Sequence, residues 1–204
     1  MSRLAVPQSH LVKREEKEDK LERLLRRHLR ALAESTPCDA AETNCLLIAR
    51  SADSPVAKLL LLYGAAGSLK RFSVRAIFAF LGTAETVRIA EACRASEWSL
   101  QVHWARDLRL LEAHEQLVLG SATCWIGDSM RREPLSHDAC ELYAPDCPEL
   151  THRARRFFER LWQASEPVFE RQGFGADEAF NPALMQPVDR ATTIGGRHGP
   201  RTSA

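Results

Sequence analysis

The sequence predicts an α/β fold: a mixed sheet with flanking helices, preceded by an N-terminal amphipathic helix. Three observations carry this expectation. Apolar runs of strand length recur at 74–80, 100–104, 116–119 and 124–126. A helical pattern from Glu85 to about residue 95 lies between the first two. A basic amphipathic helix over 151–164 follows the strands, with Phe157, Phe158, Leu161 and Trp162 toward its inner face. Strand, helix, strand, hairpin and covering helix are the ingredients of a layered α/β domain.

The 204 residues suit one domain with terminal extensions. Hydrophobic residues make up 45% and charged residues 27%, enough apolar material for a core. The expected division is 1–37 as a charged amphipathic helix, 38–170 as the α/β domain, and 171–204 as a largely irregular or disordered extension. A formal net charge of +1 gives no global field that demands nucleic acid or an acidic membrane, though local basic patches are compatible with it. No apolar run is long enough to span a bilayer, and the start of the chain lacks a secretory core. A cytoplasmic location is therefore expected. None of the cysteines at 38, 45, 93, 124, 140 and 147 forms a Cys-x-x-Cys pair, and Cys93 and Cys124 sit among apolar neighbours as buried small hydrophobes do. No metal and no cofactor is expected.

Along the chain, the leucines at 21, 24, 25, 29 and 32 and His28 recur at helical spacing within 11–34. Acidic residues 15, 16, 18 and 19 precede arginines 23, 26, 27 and 30, complementing a helix dipole and giving the helix a basic face. Thr36-Pro37 ends it. The apolar runs 45–49 and 57–63 are too short for periodicity to decide between helix and strand. Residues 64–70 are glycine-rich but lack the Gly-Lys-Ser/Thr of a phosphate loop, and read as a turn. Gly82-Thr83 opens the helix around Glu85. Residues 106–113 read as a loop or short helix.

The stretch 114–129, His-Glu-Gln-Leu-Val-Leu-Gly-Ser-Ala-Thr-Cys-Trp-Ile-Gly-Asp-Ser, reads as two apolar strands joined by a turn. A histidine stands at the mouth of the first strand and a glycine and a serine at the exit of the second. This spacing resembles the signature of the phospholipase D superfamily, His-x-Lys-x4-Asp-x6-Gly-Ser. His114 matches the histidine, and Gly127 and Ser129 match the Gly-Ser pair with Asp128 between them. The resemblance extends over about residues 55–165, and Glu141 falls near a common acidic position. It implies a phospholipase D-like domain in which a histidine attacks phosphorus while a lysine, the serine and a downstream asparagine hold the phosphate oxygens. It also implies a site completed from two motif copies, in one chain or in a homodimer. This chain carries at most one copy.

Two positions depart from the signature. Gln116 stands where the lysine belongs and Ser121 where the aspartate belongs. An amide donates a hydrogen bond but brings no charge. Arg131 and Arg132 can restore charge if their loop folds back, because guanidinium forks fit phosphate. The candidate site is therefore His114 as the catalytic residue, with Gln116, Ser129, Arg131 and Arg132 as ligand contacts. The favoured function is a degenerate phospholipase D-like domain that binds a phosphate-bearing small molecule, a nucleic acid or a protein partner, with little or no catalysis. The alternatives are an active phosphodiesterase or nuclease built on His114, and a regulatory interaction module without a phosphate site. His103, inside an alternating strand, reads as half-buried rather than catalytic.

Overall fold

The computed structural model describes residues 8–34, 41–94, 98–106, 110, 112–132 and 138–171. The elements are β1 (Gln8–Val12), a 3-10 turn (Arg14–Glu16), α1 (Lys17–Glu34), β2 (Asn44–Ala49), α2 (Pro55–Ala65), β3 (Ser73–Phe78), α3 (Thr83–Arg94), β4 (Ser99–Trp104), β5 (His114–Leu119), β6 (Thr123–Ser129), β7 (Ala139–Ala144), α4 (Pro148–Ala164) and β8 (Glu166–Arg171). All eight strands form one sheet in the order β1-β7-β6-β5-β2-β3-β4-β8. β2, β3 and β4 are parallel, and the remaining pairings are antiparallel.

The central strands are buried on both faces, as parallel strands joined by helices must be. In β2, Cys45, Leu47 and Ala49 pack with Leu21, Leu24 and Leu25 of α1, Val56 and Leu60 of α2, and Ile89 of α3. Leu46 and Ile48 point the other way and pack with Val118, Cys124 and the α4 residues Ala154 and Phe158. Three helices therefore cover one face and α4 the other. Both-sided burial explains why the run 45–49 has no helical or alternating signature. The run 57–63 becomes α2, started by Pro55 at its first turn. Residues 74–78, 100–104, 116–119 and 124–126 lie in strands of the one sheet, and β5 and β6 form the expected hairpin.

Three strands have no counterpart in the sequence reading. β1 occupies residues 8–12, so the helix expected over 11–34 begins at Lys17 instead. Val12 is fully buried, and Leu11 and Val12 pair with Cys140 and Ala139 of β7, an attraction no local pattern reports. β7 and β8 make the other two. β8 contains Pro167 and pairs with β4 across a bulge, which suits an edge strand. Residues 172–204 and the side chain of Cys93 lie outside the described residues. Cys45 and Cys124 are buried, and burial pushes their thiols up to about 12 and about 11.

The β5–β6 turn is held from both sides. Gly120 has φ +60°, and its carbonyl accepts a hydrogen bond from Arg155 Nη2 of α4 at 2.7 Å. On the other side it lies against Glu42 and the buried His28, whose imidazole burial holds below the usual histidine range against the opposing pull of Glu42. A Cβ on Gly120 would stand 2.7 Å from Glu42 Oε2 and 3.0 Å from His28 Cε1. Gly120→Ala should therefore lower the unfolding free energy by about 1–3 kcal/mol, read as a lower urea midpoint at unchanged m value.

Candidate functional site

Three consecutive residues at the start of β5 enter three different environments. His114 is exposed. Its Nδ1 lies 2.8 Å from the carbonyl oxygen of Gly127 across the hairpin. A carbonyl has no proton to give, so Nδ1 carries the hydrogen and donates it, and in the neutral ring the lone pair sits on Nε2. Gly127 is a glycine because a Cβ there would stand 2.4 Å from the Trp125 ring. The glycine that the motif pairs with Ser129 thus makes room for a core tryptophan and presents the carbonyl that sets the histidine tautomer.

Ser129 is the register partner of His114 at the end of β6. The chain then folds back. Met130 N–H donates to the Ala113 carbonyl at 2.9 Å and Arg132 N–H to the Ser129 carbonyl at 3.1 Å. Ser129 Oγ accepts from the Arg131 amide at 3.4 Å. The structure so brings His114, Ser129, Arg131 and Arg132 to one end of the hairpin. Arg131 pairs with Glu112, and Arg132 Nη1 lies 3.2 Å from Asp128 Oδ2. Arg50, at the end of β2, joins them by donating from Nη1 to the Arg132 carbonyl at 3.1 Å. The Arg131–Glu112 pair is exposed, and such pairs contribute about 0–1 kcal/mol, whereas Arg132 is exposed but its partner Asp128 is partly buried. An incoming phosphate can compete for the Arg131 guanidinium at little cost.

Gln116 is placed differently. It is 5% exposed, and its Nε2 donates to the Ala154 carbonyl of α4 at 3.0 Å. The residue at the motif's lysine position serves as a strap between β5 and the covering helix, apart from the arginines. Ser121 is exposed in the turn at the far end of the hairpin, roughly 20 Å from His114 at the usual strand rise. His103 is buried, stacked on Trp162 with ring centroids 3.5 Å apart, and hydrogen-bonded through Nδ1 to Ser165 Oγ at 3.0 Å. It belongs to the packing of α4.

Glu115 faces away from Gln116, into a cleft beneath α1 where Lys17 and Glu141 are also buried. Its Oε1 accepts from the Arg50 amide at 3.0 Å. Burial pushes its carboxyl above the usual range. The Ser54 hydroxyl and the Arg50 amide oppose that shift, Glu141 adds to it, and Lys17 reduces it. Glu141 Oε2 accepts from both Tyr143 OH at 2.6 Å and Trp125 Nε1 at 3.1 Å. The cleft holds about 20 Å³, room for about one water and not for a phosphate. A ligand would have to rest across its mouth, where Ser129 and Arg132 stand. The sequence reading passed over Glu115. The available signal was an acid between two alternation positions of an otherwise apolar strand. Among the described residues no group of three or more His, Cys, Asp or Glu converges on a metal position.

No family model and no curated protein sequence matches the chain. Solved structures do. Nuc from Salmonella typhimurium, a phospholipase D family member, is similar over 79% of this chain and 98% of its own, with TM-score 0.51 and 12% identity. TrmBL2, an archaeal chromatin protein whose structure shows a novel mode of DNA binding, is similar over 80% of this chain and 55% of its own, with TM-score 0.51 and 10% identity. NucT from Helicobacter pylori covers 79% and 99% at TM-score 0.48 and 8% identity. The fold is phospholipase D-like, as the resemblance around His114 implies. No described helix is long and apolar enough to cross a membrane.

The buried acid supplies a test of this geometry. Glu115 holds its proton more firmly in the folded chain than in the unfolded one. It therefore favours the fold below the ordinary carboxyl range, and that contribution is lost as pH rises through its raised folded value. Glu115→Gln keeps an acceptor for the Arg50 amide and removes the charge. Its Tm should exceed that of the wild type at pH 7, and the difference should shrink as pH falls through the raised folded value and be smallest below about 4.5.

Proposed function

We propose that this phospholipase D-like domain binds a phosphate-bearing ligand at the hairpin mouth and hydrolyses phosphodiesters very weakly or not at all. The observation that carries this reading is Gln116, buried with its amide nitrogen bonded to the α4 backbone. The position that supplies a fixed cation in the family's signature holds a neutral group turned into the fold. Loss of one transition-state donor costs about 3–4 kcal/mol, or two to three orders of magnitude in rate. The mouth still has an exposed imidazole with Nε2 available, the serine beside it, and the exposed Arg131 and Arg132, paired with Glu112 and Asp128. That set suits an anion held by charge-assisted hydrogen bonds. We leave Gln116 to the fold and assign the ligand to His114, Ser129, Arg131 and Arg132. The DNA-binding description of TrmBL2 is consistent with a ligand of this chemistry.

Two measurements on wild type and His114→Ala test the proposal. Hydrolysis of bis-p-nitrophenyl phosphate should stay at the buffer rate in both. Inorganic phosphate binding, followed by titration calorimetry, should weaken by about 10-fold in His114→Ala and more in Arg132→Gln, the scale of one charged hydrogen bond. Robust turnover abolished by His114→Ala would make the chain a phosphodiesterase instead. Neither turnover nor anion binding would make it an interaction module without a phosphate site.

A further inference from the structure

The arginines of the two amphipathic helices have different fates. On α1, Arg23 Nε donates to the Asp19 carbonyl at 3.2 Å, Arg26 pairs with Glu22 at 2.7 Å, and Arg27 pairs with Asp146 at 2.7 Å. Two arginines of the face that the sequence marks as basic, Arg26 and Arg27, are thus paired with carboxylates, while Arg23 meets only a backbone carbonyl. On α4, Arg153, Arg156 and Arg160 are exposed, and none has a hydrogen bond or ion pair with a described residue. They recur every three to four residues along one side of the helix, with exposed His152 beside them. Phe157, 37% exposed, stands in the same row. Glu159, the acid nearest to them in sequence, is half-exposed and paired with the partly buried Arg75. The exposed Glu149, four residues before Arg153, lies on the same side at the first turn, so the row carries one acid against three arginines.

We propose that this face of α4 binds the phosphate backbone of a nucleic acid, independently of base sequence. Three unpartnered guanidinium groups on one helix face repel one another and are relieved by a polyanion. From Arg153 to Arg160 the helix advances about 10 Å, which spans about three nucleotides at ~3.4 Å of axis each. Guanidinium forks bind phosphate in a bidentate manner, and a half-exposed phenyl ring among them gives a base a surface to stack on. An acidic membrane fits less well. A helix that lies in a bilayer interface needs a free apolar face, and α4 spends its own on the fold through Ala154, Phe158 and Trp162. The surface is distinct from the His114 mouth and does not rest on the reading given to it.

Fluorescence anisotropy with a labelled single-stranded DNA of about 20 nucleotides tests this in the full chain across about 25–200 mM salt. Binding should weaken with salt, and about two units of the log–log slope should come from α4, given about 0.7 per phosphate on a single strand. The triple variant Arg153→Gln, Arg156→Gln, Arg160→Gln should lose that part of the slope and bind at least about 10-fold more weakly at low salt. The corresponding triple Arg→Lys variant should keep the slope. If the triple glutamine variant melts early, the single Arg156→Gln variant should still reduce the slope by about 0.7. The proposal is overturned if the glutamine variants bind the oligonucleotide like wild type. It is equally overturned if phosphatidylserine vesicles or polyglutamate bind more tightly than DNA and depend on the same arginines.

Discussion

The two-residue period of β5 governs what the hairpin can offer. A strand turns successive side chains to opposite faces, and β5 lies between a face covered by α1–α3 and one covered by α4. Gln116 and Val118 must face α4, and Glu115, Leu117 and Leu119 must face the other helices. His114 escapes because it stands at the open end. A charged side chain at position 116 would lie beneath α4 beside the Ala154 carbonyl. The covering helix therefore suits a neutral donor at position 116. An amide can satisfy a backbone carbonyl in that place, whereas a buried ammonium would need a counter-charge as well.

Glu115 shows the converse. The strand places a carboxyl where water is nearly excluded, and the fold offsets this with the Arg50 amide, the Ser54 hydroxyl and the nearby charge of Lys17. The Arg50 amide binds Glu115 while the Arg50 guanidinium binds the Arg132 carbonyl. One residue thereby ties the buried acid under α1 to the loop that carries the exposed arginines. The proposed anion site and the buried acid are neighbours linked through backbone, not separate features of the sheet.

The sheet's middle was legible in the sequence because β3 to β6 are short, apolar and bounded by turns. β2 was ambiguous, since a strand buried on both faces has no period to detect. β1, β7 and β8 were illegible for a different reason. Leu11 and Val12 become strand residues through pairing with a partner more than a hundred residues away, and β8 holds a proline that argues locally against a strand. Near the hairpin mouth, His114 and Ser129 were legible from motif spacing and stand opposite each other across β5 and β6, while Arg131 and Arg132 follow in the next loop. Glu115 looked like a spacer because nothing in the sequence says which face receives α1. The arginine contrast was hidden for the same reason: Asp146, which neutralises Arg27, is far along the chain.

The sheet order sets a constraint on how the chain is made. β1 is synthesised well before its partner β7, which lies at residues 139–144, and the two meet at one edge of the sheet. Until that segment leaves the ribosome, Val12 has no strand to lie against. A contact of such long sequence separation closes late and slowly. Through most of synthesis the amino-terminal strand is an unpaired segment, available to chaperones or to the wrong edge. The parallel strands β2, β3 and β4 are adjacent in both sequence and space and can assemble as they emerge. An edge strand of the described sheet thus precedes its partner in the chain by more than a hundred residues and is among the last to find its place.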